Sequence, residues 1–408
     1  MRLLYSAGIA LYGAAVKLAA FKKPKAALMI AGHKKVFDYL RDNRRQNDRY
    51  LWFHAASLGE FEQGRPLIEK IRQLHPEYKI AVTFFSSSGY EVRKNYQGAD
   101  LICYLPFDTP SNVERFLNLL RPEKAFFIKY EFWANYICEL KKRNIPIYLF
   151  SAIFRPEQVF FKPYGGFFRK LLHLYEQIFV QDDTSLNLLH HLGVTQVQIA
   201  GDTRFDRVCE VMKQSKSLPI VESFVGNAPF TLVAGSSWPK DEEIIISHFN
   251  QTPDMKLIIA PHEIHEEHIA EIISRLKRPY VRYSQLQPGE PIQADCLIVD
   301  CIGLLLHIYR YGQIAYIGGG FGVGIHNVLE AAVFEIPVIF GPNYHNFREA
   351  CELISAQGGF SISTAAEYTA LMKRFLSDTE CLQMTGHTAG YYVRHNAGAT
   401  DLILNTVF

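Results

Sequence analysis

Two glutamates, an arginine and a glycine-rich turn have settings in which they could do chemistry. Glu60 closes the turn Ser57-Leu58-Gly59-Glu60, which leads from an apolar run into a helical pattern. A carboxylate in the first turn of a helix is held ionised by the helix dipole. That suits a base accepting a proton from a hydroxyl, and it equally suits an acid that merely complements the dipole. Glu131, in KYEFW, follows the apolar run AFFI and is expected at the carboxyl edge of the same sheet. Two acids on one rim would converge on one cleft. Arg204 follows VQIAGD, where a fixed cation could hold a phosphate or carboxylate and stabilise a departing nucleotide.

A second group lies further along the chain. The stretch Tyr316–Pro342, YIGGGFGVGIHNVLEAAVFEIPVIFGP, reads as strand, glycine-rich turn, helix and strand. Such a turn lets backbone approach a ligand, and the helix start beyond it would offer N–H groups to a phosphate. Asn327 and Glu330, three apart, share a helix face, and a carboxylate there suits the hydroxyls of a ribose. The spacing does not fit the dinucleotide fingerprint, because Val323 and Ile325 stand where glycine would be required. Ser236 and Ser237 end the run TLVAG and offer hydroxyls and amides to an anion. His262 and Glu263 end MKLIIAP at the expected cleft. The acids and histidines after them read as a solvated helix face, since Glu266 stands where a zincin motif needs histidine. No metal is expected, and no Walker loop or serine nucleophile elbow is present.

The elements that must position these residues alternate regularly. LWFHAAS, IAVTFFSSSG, LICYLPF, KAFFIKYEFW, PIYLFSA, QIFVQD and VQIAGD read as strands, with helical stretches such as Glu114–Leu120 and Tyr136–Arg143 between them. A second series follows in FTLVAGSSW, MKLIIAPHE, CLIVD, IAYIGGG, IPVIFGP and GGFSI. Alternation of this kind predicts parallel sheets covered on both faces, with functional loops at the carboxyl ends of the strands. The more polar residues 207–228 read as helix and linker, so a boundary is placed near residue 212. The expected outcome is two doubly wound, Rossmann-like domains facing a cleft, over residues 49–212 and 213–408, with a final helix from about Tyr391 to Phe408 that could return to the first domain.

The chain of 408 residues is nearly half apolar and 21% charged, which is the composition of a globular protein. Seven scattered cysteines without a C-x-x-C pair argue for reduced thiols rather than a disulfide framework. Charge is uneven: residues 1–50 hold eleven Lys/Arg against three acids, although the whole chain is only +2. Residues 3–21 are apolar apart from Ser6 and Lys17, and Lys22, Lys23 and Lys25 follow at once. Residues 1–48 therefore read as a membrane-anchoring basic segment, either a helix in the membrane surface or a short span with its basic end cytoplasmic. The other reading is a helix packed on the body of the protein. Nucleic acid is not expected as a partner, because the apolar residues form a block instead of alternating with the basic ones.

Together the motifs FHAASLGEFEQGRPLI, EFWAN, GDTRFD, AGSSWPKDEE and GIHNVLEAAVFEIPVIFGPNYHNF resemble those of the 3-deoxy-D-manno-octulosonic acid (Kdo) transferases of lipopolysaccharide synthesis, which are GT-B glycosyltransferases. The resemblance runs almost the length of the chain. It implies a CMP-Kdo donor, a lipid A precursor as acceptor, inversion at the anomeric carbon without a metal or other cofactor, and a monomer at the cytoplasmic face of the inner membrane. Glu60 matches the general base. Glu131 matches the second acid of an E-x-E motif, and Arg204 stands where lysine is usual; both are implied to stabilise the transition state. Donor contacts would fall on His262 and Glu263, on Ile302, Gly303 and Leu304, and on Asn327, Val328, Leu329 and Glu330. The chain departs from the pattern at Lys129, Ala134, Trp238, His262-Glu263 and Leu304. Other readings are a GT-B transferase using a UDP-sugar, and a catalytically silent, membrane-attached binding protein on the same scaffold.

Overall fold

A computed structural model describes residues 1–214, 217–289 and 291–408. Within the expected linker 207–228, residues 215 and 216 lie outside the described ones. The chain divides into two compact units, residues 1–207 with 398–408, and residues 208–397.

In the first unit every strand pairs in parallel. The strands are β1 (Arg49–Ala55), β2 (Tyr78–Phe84), β3 (Leu101–Tyr104), β4 (Pro122–Ile128), β5 (Ile147–Ala152), β6 (Gln177–Val180) and β7 (Val197–Ile199), in the spatial order 3-2-1-4-5-6-7. β1 is buried along almost its whole length, as a strand covered on both faces must be. The order reverses direction between β1 and β4. Loops leaving the carboxyl ends of those two strands therefore diverge to opposite faces and open a crevice.

The second unit repeats the plan with β8 (Phe230–Ser237), β9 (Met255–Pro261), β10 (Tyr280–Arg282), β11 (Cys296–Ile298), β12 (Ile314–Ile317), β13 (Val338–Phe340) and β14 (Gly359–Ser361), ordered 10-11-9-8-12-13-14 and again parallel. Here the reversal lies between β8 and β12. Both units are doubly wound α/β folds, as the alternation predicts.

Three expectations about boundaries are revised. First, residues 1–48 are not a segment apart. They form α1 (Arg2–Ala19) and α2 (Pro24–Asn43), broken at the lysines and restarted by Pro24, whose missing N–H costs nothing at a helix start. α2 buries Met29, Val36 and Leu40 in the first core. Second, among the described residues no helix is long and apolar enough to cross a membrane. In α1, Arg2 and Ser6 bond the Asn135 side chain, and the Tyr5 hydroxyl donates to Asp108 at 2.8 Å, tying one helix face to the protein. Third, the last helix, Ala399–Val407, belongs to the first unit rather than the second, with Ile403, Leu404 and Val407 buried beside β1 and β2 residues.

Candidate active site

Glu60 is the third residue of α3 (Leu58–Leu74), which leaves the carboxyl end of β1. Its Oε2 accepts the Ala56 amide at 2.6 Å and the Ser57 amide at 3.1 Å, completing a capping box. Glu60 thus serves its helix, yet the bonds fix only one oxygen. Burial, and then the neighbouring Glu131 carboxylate, push its pKa above the ordinary carboxylate value. Its other oxygen makes no hydrogen bond among the described residues, and a half-buried acid so placed, with a raised proton affinity, is suited to accept a proton.

Glu131 leaves the carboxyl end of β4, the strand next to β1, and is buried. Both acids therefore flank the reversal point of one sheet, and the expected convergence is present within this unit. Oε2 of Glu131 accepts from the Trp133 indole at 2.5 Å and meets His54 Nε2 at 3.0 Å. His54, fully buried on β1, contacts Thr83 on the paired strand β2 through Nδ1. Lys129, directly after β4, has φ +64, a left-handed conformation that costs a lysine on the order of 1–2 kcal/mol.

Arg204 opens the helix Thr203–Gln214 in the same unit. Its Nε and Nη2 hold Asp202 at 2.9 and 2.7 Å, and Asp202 also accepts from Gln63, one turn along α3 from Glu60. Its charge is therefore shared with a buried carboxylate, and its position is fixed relative to α3.

In the second unit the turns after β8 and β12 meet. Ser236 has φ +51 and its carbonyl packs on Gly318, where an added Cβ would lie 2.1 Å away; only glycine permits that approach. Gly319, at φ +92, donates its amide to Asp241 at 2.9 Å. Asp241 also accepts from Tyr316 and from the Trp238 amide, so part of the glycine turn is already satisfied by a protein carboxylate. His262 stacks on Trp238 at 4.8 Å and lies 4.5 Å from His326, whose pKa burial pushes down to about 4. A cavity of about 400 Å³, lined in part by Trp238, Lys240, Asp241, Phe321 and Val323, adjoins this aromatic cluster.

Several sequence expectations change here. The Ser237 hydroxyl is not offered to an anion: it is buried and donates to Glu242 at 2.9 Å. His268 is not on a solvated face; it is buried, with Nε2 2.9 Å from Glu242 and Nδ1 2.8 Å from the Glu263 carbonyl. This pair anchors the 262–265 loop. Glu263 itself is half exposed, with Oε2 3.3 Å from His265. The helix after Asn327 is a single turn, Leu329–Ala332, too short for a substantial dipole, and Asn327 spends its side chain on Glu330 and on the Leu329 amide. Val328 and Leu329 are fully buried, so only their backbone could meet a ligand. Ile302 is largely exposed, and Gly303 (φ +95) and Leu304 lead into the short helix Leu305–Ile308.

His54, Thr83, Trp133, Asp241 and Glu242 were not singled out by the sequence. The histidine-aromatic alternation of β1 and the KDEE run after Trp238 are their faint traces.

Comparison with solved structures matches this architecture to UDP-GlcNAc 2-epimerase of Neisseria meningitidis (TM-score 0.62, 13% identity, 88% of this chain and 99% of that one). It also matches Acinetobacter baumannii MurG (TM-score 0.54, 10% identity, 88% and 98%). At such identities the likeness shows the fold alone, that of a two-domain, GT-B-like α/β protein. Residues 32–207, about four-fifths of the first unit, match the family described as 3-deoxy-D-manno-octulosonic-acid transferase (kdotransferase). The 3-deoxy-D-manno-octulosonic acid transferase of Haemophilus influenzae is 29% identical over 372 residues, 87% of this chain and 86% of that protein. Its counterpart in Aquifex aeolicus is 28% identical over 335 residues (80% and 86%). Over most of its length the chain is similar to the Kdo transferases, a family of glycosyltransferases, and these likenesses support a place among them.

Proposed function

We propose that the protein moves Kdo from CMP-Kdo to a lipid A precursor of the lipid IVA type, with inversion and without a metal, at the cytoplasmic face of the inner membrane. The observation that carries this reading is the pair of acids at the reversal point of the first sheet, one of them with a raised pKa and an oxygen that makes no hydrogen bond among the described residues. Glu60 takes the proton of an acceptor sugar hydroxyl as that oxygen bonds to C2 of Kdo. The bond from C2 to the phosphate oxygen breaks, and CMP leaves with the electron pair. Glu131 and Arg204 stabilise the charge that develops. The donor is assigned to the second unit: the Gly318–Gly320 turn and the backbone at 327–330 for phosphate and ribose, with the Trp238–His262–His326 cluster as an aromatic surface beside them.

Membrane attachment is proposed through α1. Its outward face carries Leu3, Leu4, Leu11 and Leu18, all at least 70% exposed, with Phe21 and three lysines following. An exposed apolar ridge backed by lysines suits a helix lying in an anionic lipid surface. Because α1 bonds Asn135 and the Ala134 amide, it also holds the segment that follows Glu131. The protein is read as a monomer.

The test is mass spectrometry of the lipid after incubation with CMP-Kdo, with UDP-sugars as the control donors. Mass gain by Kdo only with CMP-Kdo is expected. Glu60→Gln should lower kcat by a factor of at least about 100 while leaving CMP-Kdo binding intact. Transfer from a UDP-sugar, or a Glu60→Gln enzyme with near-normal turnover, would overturn the reading.

A further inference from the structure

The contacts around His54 can be read as a chain of hydrogens with a definite direction. Indole nitrogens only donate. Trp52 Nε1 lies 2.8 Å from Thr83 Oγ1, so the hydroxyl oxygen accepts there, and its own hydrogen must go elsewhere. Its two candidate acceptors are His54 Nδ1 at 2.9 Å and the Phe53 carbonyl at 3.4 Å. Nδ1 also lies 3.1 Å from the Thr83 carbonyl, an acceptor only, so the far side of the ring decides: the carboxylate facing Nε2 calls for a hydrogen there, and a neutral ring then leaves Nδ1 to take the hydroxyl hydrogen. A bare Nδ1 places the hydrogen of a neutral imidazole on Nε2, which faces Glu131 Oε2 at 3.0 Å. The opposite tautomer would set the lone pair of Nε2 against a carboxylate oxygen. The Trp133 indole hydrogen does not alter this, because Oε2 at 2.5 Å outcompetes His54 Nε2 at 3.0 Å for it. Oε2 of Glu131 is thereby filled by two N–H donors, whereas Oε1 makes no hydrogen bond among the described residues.

We propose that His54 is a positioning residue for the transfer reaction: with its Nε2–H directed at the carboxylate, it pins Oε2 of Glu131 so that Oε1 alone is presented to the sugar being transferred. His54 is fully buried, out of reach of a bound sugar. Its effect passes through Glu131, as a hydrogen-bonded partner fixes the orientation of a working carboxylate. The inference rests on the transferase reading for what Oε1 does, but the tautomer does not depend on that reading.

The test separates the two. Nitrogen-15 NMR of the histidine-labelled full chain, without substrate, should show a proton on His54 Nε2, and Glu131→Gln should weaken that preference. A wild-type Nε2 without a proton would overturn the proposal whatever the enzyme transfers. In the lipid assay, His54→Gln keeps a donor near the Nε2 position and should retain activity within a fewfold. His54→Asn keeps only the Nδ1 side and should lower kcat roughly 100-fold at unchanged KM, like Glu131→Gln. The double variant His54→Asn/Glu131→Gln should be no slower than Glu131→Gln alone, since both remove one device. Losses that multiply, or equal losses in the Gln and Asn variants, would mean that His54 is only part of the core. A wild type inactive with CMP-Kdo would sink the transferase reading and leave the tautomer result to decide this one.

Discussion

Glu60 illustrates how a helix cap and a base can be one group. Its Oε2 is fixed by two amides, and burial together with Glu131 raises its pKa. A base works only when ionised, so transfer is expected to fall as pH drops through that raised value. Glu131→Gln removes the like charge; it should shift the acid limb of the kcat/KM profile to lower pH while reducing the plateau. An unmoved limb would show that the two acids do not feel each other. His33 gives a stability counterpart. Both ring nitrogens are buried without a partner among Phe85, Tyr104 and Phe107, and burial pushes its pKa down to about 4. With a folded pKa below the unfolded 6.5, the unfolded chain binds more protons. Stability present above pH 6.5 is therefore lost as pH falls towards 4, by up to about 3 kcal/mol. His33→Phe should flatten that part of the curve, as followed by urea unfolding at pH 7 and pH 5. Glu60 and Glu131 were legible in the sequence because a strand followed by a turn announces the working rim of a parallel sheet. His54 was not, because one polar residue in an apolar strand shows neither which neighbour it faces nor which of its nitrogens is protonated.

At the scale of the element, α1 shows what a composition profile can and cannot contain. Its apolar block and the lysines after it are plain in the sequence, and they suggested an anchor. What hydropathy could not show is that Arg2, Tyr5 and Ser6 are tied to Asp108 and Asn135, more than a hundred residues away. Those bonds turn one face inward and leave the leucines outside. Leu11→Glu/Leu18→Glu is expected to abolish flotation with anionic vesicles while leaving the unfolding temperature within a few degrees, because both side chains are over 70% exposed. Tyr5→Phe should do the reverse: it leaves the buried Asp108 short of a donor at a cost of about 1–3 kcal/mol and keeps lipid binding. Vesicle binding by the Glu variants at wild-type strength would refute the surface-anchor reading. The glycine turn after β12 was legible in the same partial way. Its glycines marked a close backbone approach correctly, but the approach is to the Ser236 carbonyl, and the helix expected beyond it is one turn long.

Across the whole molecule, the alternation of strands and helices was enough to anticipate two doubly wound units and a final helix that could return to the first, whereas the contacts that hold it there had to be seen. The second unit is continuous, Val208–Ala397, and the first is closed only by the last eleven residues. The reason is energetic. Ile403, Leu404 and Val407 cover apolar β-sheet residues, Lys124 donates to the Val407 carbonyl, and Asp206 accepts from Gly398 and Thr400. Burying three such side chains contributes on the order of 5 kcal/mol, comparable with the whole net stability of an ordinary domain. Ending the chain at Ala397 should therefore unfold the first unit and spare the second. Calorimetry of that truncated protein is expected to retain one transition, matching that of residues 208–397 expressed alone, and to lose the other. CMP binding, assigned here to the second unit, should survive in both. Two intact transitions after truncation would mean that the final helix merely decorates the first sheet. Loss of CMP binding from a folded 208–397 fragment would move the donor site off this unit, and the assignment of His262, Asn327 and their neighbours would fall with it.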